Sequence, residues 1–243
     1  MDRIILNQKV DIEKEVLMNG PPLEALRFQG GRVGSLVTLT DPEGNDFRGR
    51  VLRLSETEAS ILIFDAFPSS TESSLEILLL QALPEKERME MIIQKATELG
   101  VSAVLPFQSE RSISLKEREA KQKKAHRWQQ IAVKAVQQSR RAKVPYVGEC
   151  RPFREVLMDC GVDGLKILLW EREGRNLKQV LRQHPTQKIF VMVGPEGGFT
   201  EGEVQLAEEK GFITVKLGQR ILRTETAAIT LVGVLQYELG DLS

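Results

Sequence analysis

Ile189-Phe190-Val191-Met192-Val193-Gly194-Pro195-Glu196-Gly197-Gly198-Phe199-Thr200-Glu201-Gly202-Glu203 reads as a strand, a turn and the start of a helix. The unbroken apolar run Ile189 to Val193 has strand length, and its lack of alternation predicts a strand of a parallel sheet covered on both faces. Thr200-Glu201-Gly202-Glu203 predicts a capping box, in which the Thr hydroxyl and the Glu carboxylate satisfy each other's backbone amides. The glycines between these elements allow positive φ and let a ligand come close to the backbone. Open α/β sheets bind ligands at the carboxyl ends of strands, beside helix N-termini. The spacing is neither G-x-G-x-x-G nor G-x-x-x-x-G-K-[ST], which disfavours a dinucleotide or nucleoside triphosphate. An ordinary Gly-rich turn is the alternative reading of this segment alone.

Outward from this stretch, strands and helices alternate. Downstream, the capped helix ends at Gly211 and Phe212 to Leu217 forms a strand. The loop Leu217-Gly218-Gln219-Arg220-Ile221-Leu222-Arg223-Thr224-Glu225-Thr226-Ala227 then leads into a last helix, Thr226 to Leu239. That helix is apolar nearly all round (Ala227, Ala228, Ile229, Leu231, Val232, Val234, Leu235), which predicts core contact plus a subunit interface. Upstream, Leu75 to Ala82, Val101 to Phe107 and Leu165 to Trp170 are strands. A helix opens at Pro84, buries Met89, Ile92, Ile93, Ala96 and Leu99, and closes at Gly100. A longer one runs from Glu117 to Arg140, with Trp128, Ile131, Ala132, Ala135 and Val136 as its buried stripe. The predicted class is α/β with a mostly parallel sheet.

The first third has a different texture. Leu36 to Thr40 alternates, Asp41-Pro42-Glu43-Gly44 is a turn, and Phe47 to Leu54 and Ala59 to Phe64 are further strands. Short strands at this spacing predict a small barrel. Pro68 to Ser74 reads as a linker, which gives domains of residues 1–70 and 71–243.

Of the 243 residues, 34 are Lys or Arg and 34 are Asp or Glu, which excludes a uniformly basic coat protein. The balance is local: residues 111–154 hold 13 basic against 3 acidic residues, a surplus of ten positive charges. Such a block is a candidate anion-binding face, with a solvated helix surface as its bland counterpart. Cys150 and Cys160 are too few for a disulfide framework or a thiolate zinc site. No run reaches membrane-span length, and the N-terminus is no secretory signal. These features predict a cytoplasmic, metal-free protein.

Gly194-Pro195-Glu196-Gly197-Gly198-Phe199-Thr200-Glu201-Gly202-Glu203 followed by Leu217 to Ala227 resembles the SPOUT-class methyltransferases, specifically the bacterial family that methylates N3 of a uridine in 16S ribosomal RNA. Gln94 to Val101, Glu110-Arg111-Ser112, Gln138-Ser139-Arg140-Arg141 and Val144-Pro145 match the same family in order and spacing, from about residue 75 onward. Two departures are that the N-terminal region has Pro22 to Arg27 where the family carries a His-rich segment, and Ser139-Arg140-Arg141 where Ser-Gly-Arg is common.

The resemblance implies an N-terminal PUA-like, RNA-binding barrel, a C-terminal trefoil knot, bound S-adenosylmethionine, and a homodimer acting on 16S rRNA of the small ribosomal subunit. It maps the cofactor onto Leu169 (with Trp170 beside it), Val193, Gly194, Pro195, Glu196, Gly197, Gly198, Leu217, Gly218, Ile221, Leu222, Arg223 and Thr226. Arg111 and Arg141 become the candidate catalytic residues, and Arg111, Arg127, Gln138, Arg140 and Arg141 the RNA contacts. A guanidinium would stabilise the developing uridine anion, while Glu196 or Glu225 could accept the N3 proton. His126, His184 and both cysteines fall outside the matched motifs and read as surface or packing residues. Alternatives are a SPOUT enzyme acting on tRNA and a non-catalytic ribosome-assembly factor.

Overall fold

The computed structural model describes residues 3–67, 72–112 and 127–242. The chain forms two compact units, Met1–Glu72 with Val136–Lys143, and Ser73–Ala135 with Val144–Ser243.

The smaller unit holds strands β1 (Arg3–Ile5), β2 (Glu15–Met18), β3 (Leu36–Thr40), β4 (Asp46–Leu54) and β5 (Ala59–Ala66), and helix α1 (Gly20–Phe28). Its sheet has the order β1-β3-β4-β5-β2, with β1 and β3 parallel and the other pairs antiparallel. The alternating runs at β3, β4 and β5 lie where the sequence puts them. β1, β2 and α1 were not read, because three or four residues carry too little periodicity and α1 begins Gly-Pro-Pro. Ile4, Leu26, Leu39, Ile61 and Ile63 are fully buried at the core of this unit. The buried Asp46 accepts a hydrogen bond from Thr40 at 2.6 Å and pairs with Arg3 at 2.5 Å.

One segment belongs to this unit although the linker-based boundary at residue 70 leaves it out. The Glu72 carboxylate takes the Arg141 guanidinium at 2.7 Å and the backbone amides of Ala142 and Lys143 at 2.8 and 3.0 Å. Arg140, at φ 60°, turns the chain so that these donors converge. With Arg141 Nε also donating at 3.3 Å, four donors on one carboxylate form an anion nest that ties the two stretches together.

The larger unit contains β6 (Glu76–Ala82), α2 (Lys86–Glu98), β7 (Ala103–Gln108), β8 (Tyr146–Val147), β9 (Arg151–Pro152), α4 (Phe153–Asp159) and β10 (Leu165–Leu169). It continues with β11 (Arg175–Asn176), α5 (Leu177–Gln183), β12 (Lys188–Val193), α6 (Glu201–Glu209), β13 (Ile213–Lys216) and α7 (Thr224–Leu239). Helix α3 (Arg127–Ser139) precedes β8; the start of the long helix read from the sequence, Glu117 to His126, lies outside the described residues. Among the described residues the sheet is parallel throughout, in the order β11-β13-β10-β12-β6-β7-β8, with β9 also on β7. The pieces missing from the sequence reading are two-residue strands and the seven-residue helices α4 and α5, about two turns each.

Both faces of this sheet are covered, which is why its strands are apolar without alternation. Ile189, Val191 and Val193 of β12 pack on one side with Ile92 of α2 and Leu231 of α7. Phe190 and Met192 pack on the other with Phe153 of α4 and Val204 of α6. Each such side chain contributes about 1.5–3 kcal/mol on burial. Because the strands are parallel, the carboxyl ends of β6, β10, β12 and β13 share one edge. α7 buries Ala227, Ala228, Leu231, Val232 and Leu235, while Ile229 and Val234 are half-buried and Thr226, Thr230 and Tyr237 exposed.

Candidate active site

At that shared edge a cavity of about 320 Å³ opens between the turn after β12 and the loop after β13. Its wall includes Leu169 at the end of β10, then Val193, Gly194, Pro195, Glu196 and Gly198, then Leu217, Ile221, Leu222 and Arg223. The structure thus brings together most of the residues that the sequence assigned to a cofactor. The other three lie just outside the wall: Gly197 packs against the Arg111 stem, and Gly218 and Thr226 line an adjoining groove along α7. Trp170 also borders the cavity, and its buried indole nitrogen has no hydrogen-bond partner among the described residues.

The turn is held from several directions. Thr200 and Glu203 form the expected capping box at the start of α6. Glu203 is 3% exposed, and its other carboxylate oxygen accepts the Glu110 amide at 2.9 Å. This draws Glu110-Arg111-Ser112, at the end of β7, against the turn, where Arg111 Nη1 donates to the Gly197 carbonyl at 2.8 Å. A Cβ on Gly197 would lie 3.1 Å from the Arg111 side chain, so a larger residue there would push the arginine stem aside by a few tenths of an ångström. Gly198 has φ 67°, a conformation L side chains rarely adopt. Beneath the turn Phe199, 1% exposed, stacks parallel to Phe107 at 6.3 Å and meets Phe153 at a tilt.

Three residues of this site were not singled out from the sequence, although one of them, Thr224, lies within the loop Leu217 to Thr226 that was. Arg88, in the first turn of α2, lines the cavity and bonds Glu196 at 2.7 Å, with Glu225 3.9 Å away. The Glu196 bond, outweighing partial desolvation, holds the guanidinium pKa above its usual value. Both carboxylates considered as proton acceptors therefore converge on one cation. Thr224 and Gln81 are the other two. The Thr224 hydroxyl donates to the Gly194 carbonyl at 2.6 Å and accepts from Gln81 Nε2 at 3.0 Å. A lone Arg on a helix and a Gln in a strand carry no local signal; only the fold brings them here.

The residues assigned to RNA lie on several elements. Arg111 is exposed beside the turn; Arg127 opens α3 and pairs with Glu90 at 3.4 Å; Gln138 and Arg140 are exposed. Arg141, expected on the same face, is instead buried, its side chain 6% exposed and its charge held by Glu72. A guanidinium so enclosed is a tether rather than a phosphate contact. His126 lies outside the described residues, and His184 is exposed at the end of α5.

Burial raises the Cys160 thiol to about 11, so its thiolate is scarce at neutral pH. In the folded protein Cys160 is expected to stay unmodified by iodoacetamide at about pH 8 and to react fully only in denaturant. Peptide mass spectrometry checks this; rapid labelling of the native chain at Cys160 would refute it.

Residues 71–236 match the family model described as RNA methyltransferase domain. The chain is 31% identical over 212 residues to ribosomal RNA small subunit methyltransferase E of Bacillus subtilis, covering 84% of this chain and 82% of that one. It is 34% identical to the protein of the same name from Synechocystis, covering 93% and 74%. Among solved structures it is similar to a ribosomal RNA small subunit methyltransferase E from Neisseria gonorrhoeae bound to S-adenosyl methionine, with a TM-score of 0.79, 35% identity and full coverage of both chains.

Proposed function

The chain belongs to the RNA methyltransferase family that includes the ribosomal RNA small subunit methyltransferase E proteins, and from that premise we propose that it transfers a methyl group from S-adenosylmethionine to N3 of a uridine in 16S rRNA. The observation that carries this reading is the cavity at the carboxyl edge of the sheet, walled by the two loops the family resemblance marks.

The residues present fit that cofactor. Leu169, Val193 and Leu222 give apolar walls for a purine face, and the glycine backbone at 194 and 198 admits close approach. Lys216, Arg220 and Arg223 supply positive charge suited to a carboxylate. The bound cofactor would supply an electrophilic methyl on a sulfonium. The protein's own work is orientation and charge. Arg88 fixes Glu196, and through it the turn, while Glu203 and Glu110 hold Arg111 beside that turn. A guanidinium there favours the uridine as its N3 proton passes to a base, for which the Glu196 carboxylate on the cavity wall is the candidate, because the positive charge stabilises the anion that forms. We assign Arg111 to that role. Arg127, Gln138 and Arg140 contact RNA phosphates, and Arg141 acts only through its tether to Glu72.

Further parts of the reading follow from the family resemblance. The smaller unit is an RNA-binding, PUA-like module, supported by its five-stranded mixed sheet with Arg48, Arg50 and Phe64 exposed. The C-terminal segment forms a trefoil knot, supported by β13 pairing on the far side of β10 from β12. The protein works as a cytoplasmic homodimer through the outer face of α7, where Thr226, Thr230 and Val234 line a groove with Leu177 and Leu181. No helix among the described residues is long and apolar enough to cross a membrane.

The test is methyl transfer to unmodified small ribosomal subunits, read by nucleoside mass spectrometry. N3-methyluridine is the expected product; a methylated nucleoside of tRNA, or cofactor binding without product, would overturn the assignment. RNA affinity is expected to drop at least about tenfold between roughly 50 and 200 mM salt, since phosphate contacts release counterions. Affinity that is flat across that range, by filter binding, would remove the basic segment from the RNA face.

A further inference from the structure

We propose that Gln81 and Thr224 are positioning residues for the cofactor, joining the two pocket loops by fixing the carbonyl of Gly194; this rests on the cofactor reading above and deepens it.

Gln81 lies on β6 opposite Val193 of β12, the residue just before the turn, and it is completely buried. Its amide nitrogen donates to the Ala82 carbonyl at 2.9 Å and to the Thr224 hydroxyl at 3.0 Å, which uses both hydrogens. The Ala82 carbonyl decides which way the amide faces, because the flipped amide would set oxygen against oxygen. With an N–H directed at its oxygen, the Thr224 hydroxyl has one proton to give, and it goes to Gly194 O at 2.6 Å. The chain of bonds therefore runs in one direction, from Gln81 through Thr224 to Gly194.

Three strands meet in this relay. Gln81 comes from β6, Gly194 follows β12, and Thr224 begins α7 after the loop that follows β13. The position also has little room for a side chain, since a Cβ there would lie 3.2 Å from the Phe199 ring. The hydroxyl holds the carbonyl of the 194 peptide, part of the cavity wall, in one direction. Gln81 does this at a cost to the fold: among the described residues its buried side-chain oxygen has no hydrogen-bond partner. A Met of similar length would fill the same space without that orphan acceptor. What the amide adds, and packing cannot, is a hydrogen-bond direction.

The experiment compares wild type with Thr224→Val, Thr224→Ser, Gln81→Met and the Thr224→Val/Gln81→Met pair, by calorimetric titration of S-adenosylmethionine, thermal melting and steady-state kinetics. Thr224→Val and Gln81→Met are each expected to weaken cofactor binding about five- to tenfold, the worth of a buried hydrogen bond. KM for the cofactor rises while KM for RNA stays put. Thr224→Ser, which keeps the hydroxyl, stays within about twofold, and the pair is no worse than Thr224→Val alone because both act through one carbonyl. Wild-type cofactor affinity in a folded Thr224→Val, or losses in the pair that simply add, would overturn the relay. If Thr224→Val does not melt cooperatively, Gln81→Met decides by the same threshold. Absence of cofactor binding by the wild type would instead sink the cofactor reading itself, and the relay with it.

Discussion

Arg111→Ala is expected to slow the methyl-transfer step about 100-fold, the usual cost of removing one preorganised donor from a developing anion. The side chain is exposed beside the turn, yet its position is set. Glu203, nearly inaccessible to solvent, takes the Glu110 amide, and the Arg111 guanidinium rests on the Gly197 carbonyl. On the proposed reading, the charge therefore needs little reorganisation as the anion forms. Single-turnover rates with saturating S-adenosylmethionine isolate this effect from binding, and the dissociation constant of the cofactor should move only a few-fold. Arg111→Lys keeps the charge but not the planar fork, so its rate should fall between the two. A single-turnover rate for Arg111→Ala within threefold of wild type would reduce Arg111 to a prop for the turn.

Phe199→Ala is expected to destabilise the larger unit by about 3–5 kcal/mol, the range for emptying a buried aromatic site. The ring is 1% exposed beside Phe107 and Phe153, and it lies next to Gly194, where an added Cβ would come within 3.2 Å of it. Its removal opens space under the turn that carries the cavity wall. A fall in melting temperature of about 10 °C should therefore accompany weaker cofactor binding in whatever fraction remains folded. Phe199→Leu fills part of the space and should recover most of the stability. Calorimetry on both variants checks this. Melting of Phe199→Ala within about 2 °C of wild type would mean the site collapses without a cavity.

Much of the larger unit could be read from local pattern. The apolar runs at β6, β10 and β12 lie where the sequence put strands, and the capping box at Thr200 is present atom for atom. These features act over a few residues: hydrophobic periodicity and a cap depend on neighbours in the chain. The two loops that wall the cavity were visible for the same reason, because glycines and a strand-to-helix transition mark them locally. Thr226, assigned to the cavity from its motif, lines the neighbouring groove, while Thr224, two residues earlier, is the one at the wall. Sequence located that loop without saying which of its faces turns inward.

What the sequence by itself determined was the class of the larger unit, the strands and helix that flank the site, and the segments that compose it. Tertiary structure decided which distant side chains complete it. Arg88 stands more than a hundred residues from Glu196, and Gln81 as far from Thr224. Neither pairing leaves a trace in local periodicity, since hydrogen bonds across a sheet edge depend on strand order. The fate of Arg141 was settled in the same way. The family resemblance and a locally basic segment put it on an RNA face, but its buried guanidinium is held by the Glu72 carboxylate, which also takes the Ala142 and Lys143 amides. A charge count sums residues along the chain, whereas burial and pairing depend on what the fold packs around each one.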